Sequence, residues 1–430
     1  MRHRWRAAIT VYLLVVSPAC SSEPPAAMDS LAERYVKLVL AVGQHDADYV
    51  DAYYGDPAWR PSGDPTPLPD LLAEATALRA ALGTIEPGGT DELEALRHTY
   101  LDTQLASAAA RIEMLSGMRL SFDEEAKRLY DTAPPHKTEA EFESLLGELD
   151  TLIPGSGSLS DRYAAFRNAY VVPTERLDAV FTAAIEGCRA RTAAHLDLPD
   201  GESFTVEYVT GKSWSGYNWY QGNFTSLIQV NTDLPITIDR AIDLACHEGY
   251  PGHHVYNMLL EKHLVRDRGW VEFTVYPLFS PQSLIAEGTA NFGIHVAFPG
   301  SERTTFERET LYPLAGLDPA GAERYAEVQD RVEKLSYAGN EAARRYLEGQ
   351  IDAEAAAAYL ERYAMMPADR AEQRVRFIDQ YRSYVINYNH GQDLVRAYVE
   401  KRGGTADAPE VRWQVFGELL ASPRLPSGLQ

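Results

Sequence analysis

The sequence predicts a mainly α-helical protein with one small β-sheet, an α+β fold. Two observations support this prediction: most of the chain has helical periodicity, and strand-type alternation is confined to one region. Apolar residues recur at i, i+3 and i+4 spacing from Pro319 to Tyr346. Similar amphipathic character is found in residues 30–54, 93–115, 174–195, 354–363 and 371–399. A chain of 430 residues can bury a large core among such helices.

Strand signals occur at residues 204–209 and 227–231, where apolar and polar side chains alternate. Between them, residues 214–224 are rich in aromatic side chains and glycine, a composition that suits a loop or a hairpin. We therefore expect a small sheet within an otherwise helical chain.

The N-terminus has the pattern of an export signal. The first six residues include three arginines, residues 7–16 are apolar, and the small residues Ser17 and Ala19 precede Cys20. We predict a signal peptide over residues 1–19, then a lipidated Cys20 and its tether over residues 20–29. Secretion without lipidation is the alternative. Both interpretations predict an exported protein of the periplasm or cell envelope.

Acidic residues outnumber basic ones, with 62 Asp and Glu against 40 Lys and Arg and a formal net charge of −22. Such a surface repels phosphate backbones and anionic headgroups, which argues against nucleic-acid partners and electrostatic membrane binding. No second apolar run approaches the ~20 residues that span a bilayer. A lipid on Cys20 is therefore the only membrane attachment that we expect.

The chain shows no sign of an independent second domain. An N-terminal helical part, residues 30–172, is expected to pack on a C-terminal catalytic part, residues 173–430. On a helix, Cys246 would point about 100° away from the next residue, His247, which begins the motif described below. We interpret Cys246 as a small buried residue rather than a metal ligand, although an exported chain could also pair it with Cys188.

The motif that carries chemistry is the octapeptide His-Glu-Gly-Tyr-Pro-Gly-His-His, from His247 to His254. Apolar residues at helical spacing precede it, which predicts that a helix delivers His247 and Glu248. In the HExxH zinc helix, the second histidine lies four residues after the first and on the same face. Here that position is Pro251, and the next histidine is His253.

A regular helix cannot bring two of these histidines to one metal ion. His253 would point about 120° away from His247, and His254 would lie roughly 10.5 Å along the axis. Pro251 removes a helical amide, and the glycines beside it permit unusual backbone angles. We therefore predict a bulge of two residues that makes His253 the second ligand, with His254 as the alternative. Ordinary histidines at a helix end are the competing interpretation.

A catalytic zinc site needs a third protein ligand and an open position for water. Glu287 is a lone acid among apolar and small residues of a second predicted helix. Because a carboxylate is costly to bury alone, Glu287 is the predicted third ligand, and a salt bridge to an arginine is the alternative. Asn291, one turn later, could orient a ligand. Two imidazoles and one carboxylate suit Zn²⁺.

Glu248 is the predicted general base. It directly follows the first ligand, where a carboxylate can accept a proton from a metal-activated water. Attack of this water on a polarised carbonyl gives an oxyanion that the metal and a side-chain donor would stabilise. The predicted reaction is hydrolysis of an amide bond, with Glu248 protonating the leaving amine.

At these residues the chain resembles a bacterial family of zincin-like proteins of unknown function, many of them predicted lipoproteins. The family signature HExxPGHH stands here at residues 247–254, and its Glu-Gly pair is matched by Glu287 and Gly288. A tyrosine-rich stretch leading to a Gly-Gln pair is matched by residues 382–392, with His390 where a proline is common. The resemblance implies a zincin-like metallopeptidase fold of the gluzincin group, a zinc ion and peptidase-type activity.

Tyr388 is the candidate oxyanion donor, with His390 behind it. The alternative is that Tyr388 belongs to a core stripe, because tyrosines also stand seven and four residues before it. Gln229 and Asn231 lie on a strand that, in the peptidases that this chain resembles, pairs with an extended substrate. The aromatic residues 217–220 are expected to wall the cleft or to pack on the sheet.

The sequence therefore predicts a zinc-dependent hydrolase of peptide bonds, acting on short peptides in the manner of a carboxypeptidase. One alternative is a zinc amidase acting on non-peptide amides or cell-wall fragments. Another is a non-catalytic, zinc-binding lipoprotein. The presence of Glu248 argues against this last class, because a structural zinc needs no base and usually has four protein ligands.

Overall fold

Residues 24–87, 91–212 and 214–430 are described in a computed structural model. The predicted signal peptide and Cys20 lie outside these residues. The first helix begins at Pro24, within residues 20–29 that the sequence assigns to the tether. Within the described part of the chain, no helix combines the length and the apolar character that crossing a bilayer requires.

Most of the described chain is helical, as predicted. The helices up to residue 168 are α1 (Pro24–Val42), α2 (Leu68–Leu82), α3 (Glu92–Leu115), α4 (Phe122–Tyr130), α5 (Glu139–Leu152) and α6 (Leu159–Asn168). The later helices are α7 (Leu177–Ala193), α8 (Ile238–Leu244), α9 (His253–Leu260), α10 (Pro281–Ala297), α11 (Glu302–Phe306), α12 (Tyr312–Ala315), α13 (Ala322–Lys334), α14 (Tyr337–Leu347), α15 (Ala353–Tyr363), α16 (Ala368–Tyr381), α17 (Ile386–Lys401) and α18 (Pro409–Leu420). The π-helical segments Ala245–Gly249 and Glu261–Arg266 continue α8 and α9.

Local sequence explains several helix starts. At the start of α4, the Ser121 side chain accepts a hydrogen bond from the amide of Glu124, whose carboxylate bonds back to the amide of Ser121. Thr138 and Glu141 form the same capping box at the start of α5. These reciprocal bonds satisfy amides that a helix leaves unpaired at its first turn.

The strands form two small sheets, which confirms the predicted α+β fold but corrects the expectation of a single sheet. The unpredicted sheet pairs strands of four and three residues, which are too short to show a clear alternation in the sequence. Strands β2 (Ser203–Val209), β3 (Gly216–Gly222) and β4 (Thr225–Asn231) are ordered β2-β4-β3, with β2 parallel and β3 antiparallel to β4. Strands β1 (Val50–Tyr53) and β5 (Val275–Pro277) form an antiparallel pair. The stretch that suits a loop or a hairpin is a hairpin: Asn223 and Phe224 both have positive φ, as a two-residue β-turn requires.

The central position of β4 corrects one expectation. Gln229 and Asn231 lie on β4, which is hydrogen-bonded to β2 on one side and to β3 on the other. A substrate strand can add only to a free edge, so β4 cannot pair with substrate. The amide of Asn231 instead donates to the carbonyls of Lys212 and Trp214.

Cys246 is buried, as predicted, and it is bonded to Cys188 of α7 in a disulfide. The two Cα atoms lie 5.7 Å apart. The structure therefore contains the disulfide between Cys188 and Cys246 that the sequence left open as an alternative. The bond fastens α7 to the π-helical segment that carries His247.

One continuous core contains side chains from both predicted parts of the chain. Tyr35 and Tyr100 from the N-terminal part belong to the same buried cluster as Phe279 and Phe292 from the C-terminal part. A second, smaller core packs Phe142 of α5 against α13 to α16. Among the described residues, neither predicted part thus has a core of its own.

Helices α10 and α17 approach each other backbone to backbone. A Cβ atom on Gly288 of α10 would lie 2.5 Å from the carbonyl oxygen of Gly391 in α17. A Cβ atom on Gly391 would lie 2.9 Å from the carbonyl oxygen of Leu284. The glycine pair therefore sets the distance between Glu287 on α10 and two tyrosines: Tyr384, in the 3-10 turn just before α17, and Tyr388, in the first turn of α17.

We expect Gly288→Ala to lower the free energy of unfolding by about 1–3 kcal/mol, because the added methyl group overpacks the contact with Gly391. Urea denaturation measures this change. Gly147→Ala is the matched control, since a Cβ atom on this exposed residue of α5 meets nothing within 4 Å. The control is expected to be neutral or stabilising. Equal stability of Gly288→Ala and the wild type would contradict the close-contact account.

Candidate metal centre

Three side chains from separate segments meet at one point: His247, His253 and Glu287. Nε2 of His247 lies 3.1 Å from Nε2 of His253 and 3.4 Å from Oε2 of Glu287. Nε2 of His253 lies 3.6 Å from Oε1 of Glu287. The structure thus brings together the three residues that the sequence singles out as ligands.

These distances fit a tetrahedral metal ion. Ligand atoms at about 2.0–2.1 Å from a zinc ion would be roughly 3.3 Å from one another. Oε2 of Glu287 is buried and has no hydrogen-bond partner, which is costly unless a cation compensates. The two facing Nε2 atoms also lie too close together for both to carry a proton. Together these observations indicate that His247, His253 and Glu287 could hold a metal ion, and we call these three side chains the metal-binding group.

A break in the helix places His253 beside His247. The π-helical segment ends at Gly249, and α9 begins at His253. Between them, the amide of Gly252 donates to the carbonyl oxygen of Cys246 over 3.0 Å. A Cβ atom on Gly252 would lie 1.8 Å from the carbonyl oxygen of His247, so only glycine allows this path. The predicted break is therefore present.

His254 is fully buried and points into a different cluster. Its Nδ1 atom lies 2.8 Å from Oγ of Ser226, and its Nε2 atom lies 3.1 Å from a carboxylate oxygen of Glu202. The Tyr250 hydroxyl and the Arg189 guanidinium also donate to Glu202. Burial opposes ionisation of Glu202, but the bonds from His254, Tyr250 and Arg189 outweigh it and lower the pKa to about 2. His254 thus fastens the broken segment to the sheet.

Neighbouring side chains orient the metal-binding group. Oδ1 of Asn291 lies 3.0 Å from Nδ1 of His247, while the amide nitrogen of Asn291 donates to the carbonyl oxygen of Tyr388. Because Oδ1 is the acceptor, Nδ1 of His247 carries its proton and the Nε2 lone pair faces the cluster. Oε1 of Glu287 accepts a hydrogen bond of 2.8 Å from the Tyr384 hydroxyl.

Glu248 lies against the edge strand β3. A Cβ atom on Gly216 of β3 would lie 2.7 Å from Oε1 of Glu248, so the strand backbone passes directly over the carboxylate. Asn218 of β3 donates to the carbonyl oxygen of Glu248 over 2.7 Å. Burial raises the pKa of Glu248 to about 7, an effect that His247 opposes and Glu287 reinforces.

These side chains line one cavity of about 510 Å³. The aromatic residues Tyr217 and Tyr220 line the cavity, which is the first of the two alternatives expected for residues 217–220. Tyr388 lines it from α17. His390 does not lie behind Tyr388: its Nε2 atom contacts Oγ1 of Thr132 at 3.0 Å, and it is not part of the cavity lining. That expectation is corrected, because His390 projects from another face of α17.

Several residues that line the cavity are not among the site residues predicted from the sequence. Asp51 of β1 accepts a hydrogen bond from the Tyr217 hydroxyl, and burial raises its pKa to about 7. No motif surrounds Asp51, and only the packing of the N-terminal part brings it to the cavity. Arg370 and Arg374 of α16 also line the cavity. Their i, i+4 spacing on one helical face is a signal that the sequence does contain.

No protein-family model matches the chain, and no curated protein matches it. Among solved structures, the chain is similar to a "putative lipoprotein" from Colwellia psychrerythraea, with 14% sequence identity and a TM-score of 0.52. The match covers 84% of this chain and 65% of that protein, so the chain spans less than two thirds of its length. The similarity shows a common fold.

Two further crystal structures are more weakly similar. An M32 carboxypeptidase from Deinococcus radiodurans R1 is 11% identical, with a TM-score of 0.44, and the match covers 92% of this chain and 89% of that one. A structure described as BsuCP is 9% identical, with a TM-score of 0.45 and coverages of 93% and 89%. We draw no conclusion from these two weaker similarities.

We expect His253→Ala to abolish metal binding, because it removes one of the three converging ligand atoms. His254→Gln is expected to retain stoichiometric metal at saturation, with a metal affinity lowered by no more than about 10–100-fold. Its melting temperature should fall, since Glu202 and Ser226 lose their partner. Metal analysis after dialysis and thermal unfolding measure both effects. Loss of metal from His254→Gln alone would reverse the assignment.

Glu202 should contribute to acid sensitivity. The pKa of Glu202 in the folded protein is about 2, below the ordinary value of 4.5. The ionised carboxylate therefore contributes fully to the free energy of unfolding above pH 4.5, and this contribution is lost as the pH falls toward 2. Between pH 7 and pH 3, the wild type should lose of the order of 2 kcal/mol more unfolding free energy than Glu202→Gln. Glu207→Gln, on the exposed face of β2, is the control and should follow the wild type.

Proposed function

We propose that this protein is an exported, zinc-dependent peptidase that acts on short peptides in the manner of a carboxypeptidase. The convergence of His247, His253 and Glu287 in a cavity beside Glu248 carries this proposal. Among the described residues the group contains three ligands, the number typical of catalytic zinc sites, whereas structural sites usually have four. Two imidazoles and one carboxylate match the preference of zinc.

A bound zinc ion would supply Lewis acidity and lower the pKa of a water molecule. Glu248 would accept the proton of the attacking water on its carboxylate and then deliver it to the leaving nitrogen. The backbone of Gly216 covers this carboxylate, which shields the transferred proton from bulk water. Asn291 holds the ring of His247 in one orientation throughout.

Tyr388 is the proposed donor to the oxyanion. It lines the cavity, and its hydroxyl makes no hydrogen bond with another described residue. The Tyr384 hydroxyl, in contrast, is bonded to Glu287 and would position that ligand. A free phenol that lines the same cavity as the metal-binding group can stabilise negative charge on the carbonyl oxygen that is under attack.

The size of the cavity supports a short substrate. A volume of about 510 Å³ lies in the range of small-molecule sites and admits a short peptide or a peptide end rather than a folded protein. The disulfide between Cys188 and Cys246 supports an exported location, because such bonds persist in oxidising compartments. The export signal and a lipid on Cys20 complete this proposal.

A library of N-blocked dipeptides and tripeptides, assayed together with metal analysis, tests the function. Glu248→Gln is expected to keep its zinc and to lose about 10²–10⁴-fold in kcat, because the general base is removed. Tyr388→Phe is expected to lose about 10²–10³-fold in kcat with zinc retained. Tyr381→Phe, a neighbouring tyrosine of the same cavity wall, is the control and should stay near the wild type.

Three outcomes would contradict the proposal. Stoichiometric zinc without hydrolysis of any amide would favour a binding protein. Turnover of non-peptide amides but of no peptide would favour a zinc amidase. Wild-type turnover by Glu248→Gln would exclude Glu248 as the general base.

A further inference from the structure

The cavity that contains the metal-binding group also has a cationic wall. Four arginine side chains line it: Arg167 of α6, Arg240 of α8, and Arg370 and Arg374 of α16. All four are partly buried. In a protein of net charge −22, a concentration of positive charge in one cavity attracts anionic ligands.

Three of these arginines lack an acidic partner among the residues that the structure describes. The Nε atom of Arg374 is buried without a hydrogen-bond partner, and its guanidinium lies over the rings of Phe377 and Tyr388. Arg370 donates to the amide oxygen of Gln373 over 2.8 Å, a neutral acceptor. For Arg167, no carboxylate of the described chain lies within salt-bridge distance. Each of these guanidinium groups therefore keeps donors for a ligand.

The arrangement of the charges is unfavourable without a ligand. Arg370 and Arg374 lie one turn apart on the same face of α16, where like charges repel. Burial and the neighbouring charges of Arg167 and Arg240 lower the pKa of Arg370, and the adjacent Asp369 offsets this only in part. Arg240 has Asp243 at 3.4 Å, so the uncompensated repulsion involves the other three. We call Arg167, Arg370 and Arg374 the arginine wall.

The acids of the cavity do not neutralise the arginine wall. Glu287 belongs to the metal-binding group, Glu248 lies under β3 beside it, and Asp51 is hydrogen-bonded to Tyr217. One substrate carboxylate would form a bidentate pair with one guanidinium and leave two unpaired. A second carboxylate would reduce this to one.

We infer that the arginine wall binds two carboxylates of the substrate, so that the preferred peptide ends in aspartate or glutamate. This inference rests on the proposed function, since a peptide end supplies the first carboxylate. Arg374, over the ring of Tyr388, holds the terminal carboxylate near the metal centre. Arg370, with Arg167 beside it, holds the side-chain carboxylate.

Binding of small acids to the metal-depleted, full-length protein tests the subsite without any turnover. Calorimetry should show glutarate, with two carboxylates, binding at least 10-fold more tightly than butyrate, with one. Arg370→Gln should remove this difference, and Arg374→Gln should weaken the binding of both acids. Arg376→Gln is the matched control, because Arg376 lies on the exposed face of α16 and pairs with Glu372 at 4.0 Å. The control should bind as the wild type does.

Hydrolysis of N-acetylated dipeptides provides the second measurement. With zinc bound, kcat/KM should be at least 10-fold higher for a peptide that ends in glutamate than for its glutamine counterpart, and Arg370→Gln should lose this preference. Glutarate binding without peptide turnover would uphold the subsite and reject the peptidase. If peptides are hydrolysed without a preference for glutamate, and glutarate and butyrate bind equally well, the carboxylate subsite is rejected while the peptidase function is retained. Tighter binding of inorganic phosphate than of glutarate would overturn the assignment to carboxylates.

Discussion

The structure of the site depends on one buried carboxylate. Glu287 sits in the almost wholly buried helix α10, with one oxygen bonded to Tyr384 and the other without a hydrogen-bond partner. An unpaired buried carboxylate oxygen is unfavourable, and the two imidazoles that face it supply the geometry in which a cation can compensate it. The close contact of Gly288 with Gly391 sets how near Tyr384 and Tyr388 come to this carboxylate.

The two imidazoles reach Glu287 only because the chain leaves the helix between them. Long-range contacts hold this segment on both sides. On one side, the disulfide from Cys246 to Cys188 fastens the end of the first helix to α7. On the other side, His254 is bonded to Ser226 and Glu202, which fastens the start of the next helix to the sheet. Within the motif, His254 thus holds the backbone in place, while His253 belongs to the metal-binding group.

The acidic and basic side chains of the cavity belong to different structural elements. Glu248 lies under the edge strand β3, next to Gly216, and the metal-binding group lines the same cavity. The unpaired guanidinium groups belong to α6 and α16, which line the surrounding wall. Tyr388 touches both regions, since Arg374 lies over its ring and its carbonyl oxygen accepts from Asn291. A ligand that spans the cavity would therefore contact both the arginine wall and the metal-binding group beside Glu248.

The sequence by itself determined the helical class, the residue types of the metal-binding group and the need for a broken helix. These follow from local rules, because the turn of an α-helix excludes His247 and His253 from one face unless the chain deviates. Only the tertiary structure brought His253, and not His254, together with His247 and Glu287, because the contacts of His254 with Ser226 and Glu202 come from distant segments. It also placed β4 at the centre of its sheet and brought Asp51 and the arginine wall to the cavity. The physical reason is that these positions depend on packing between elements far apart in the chain, which local spacing does not encode.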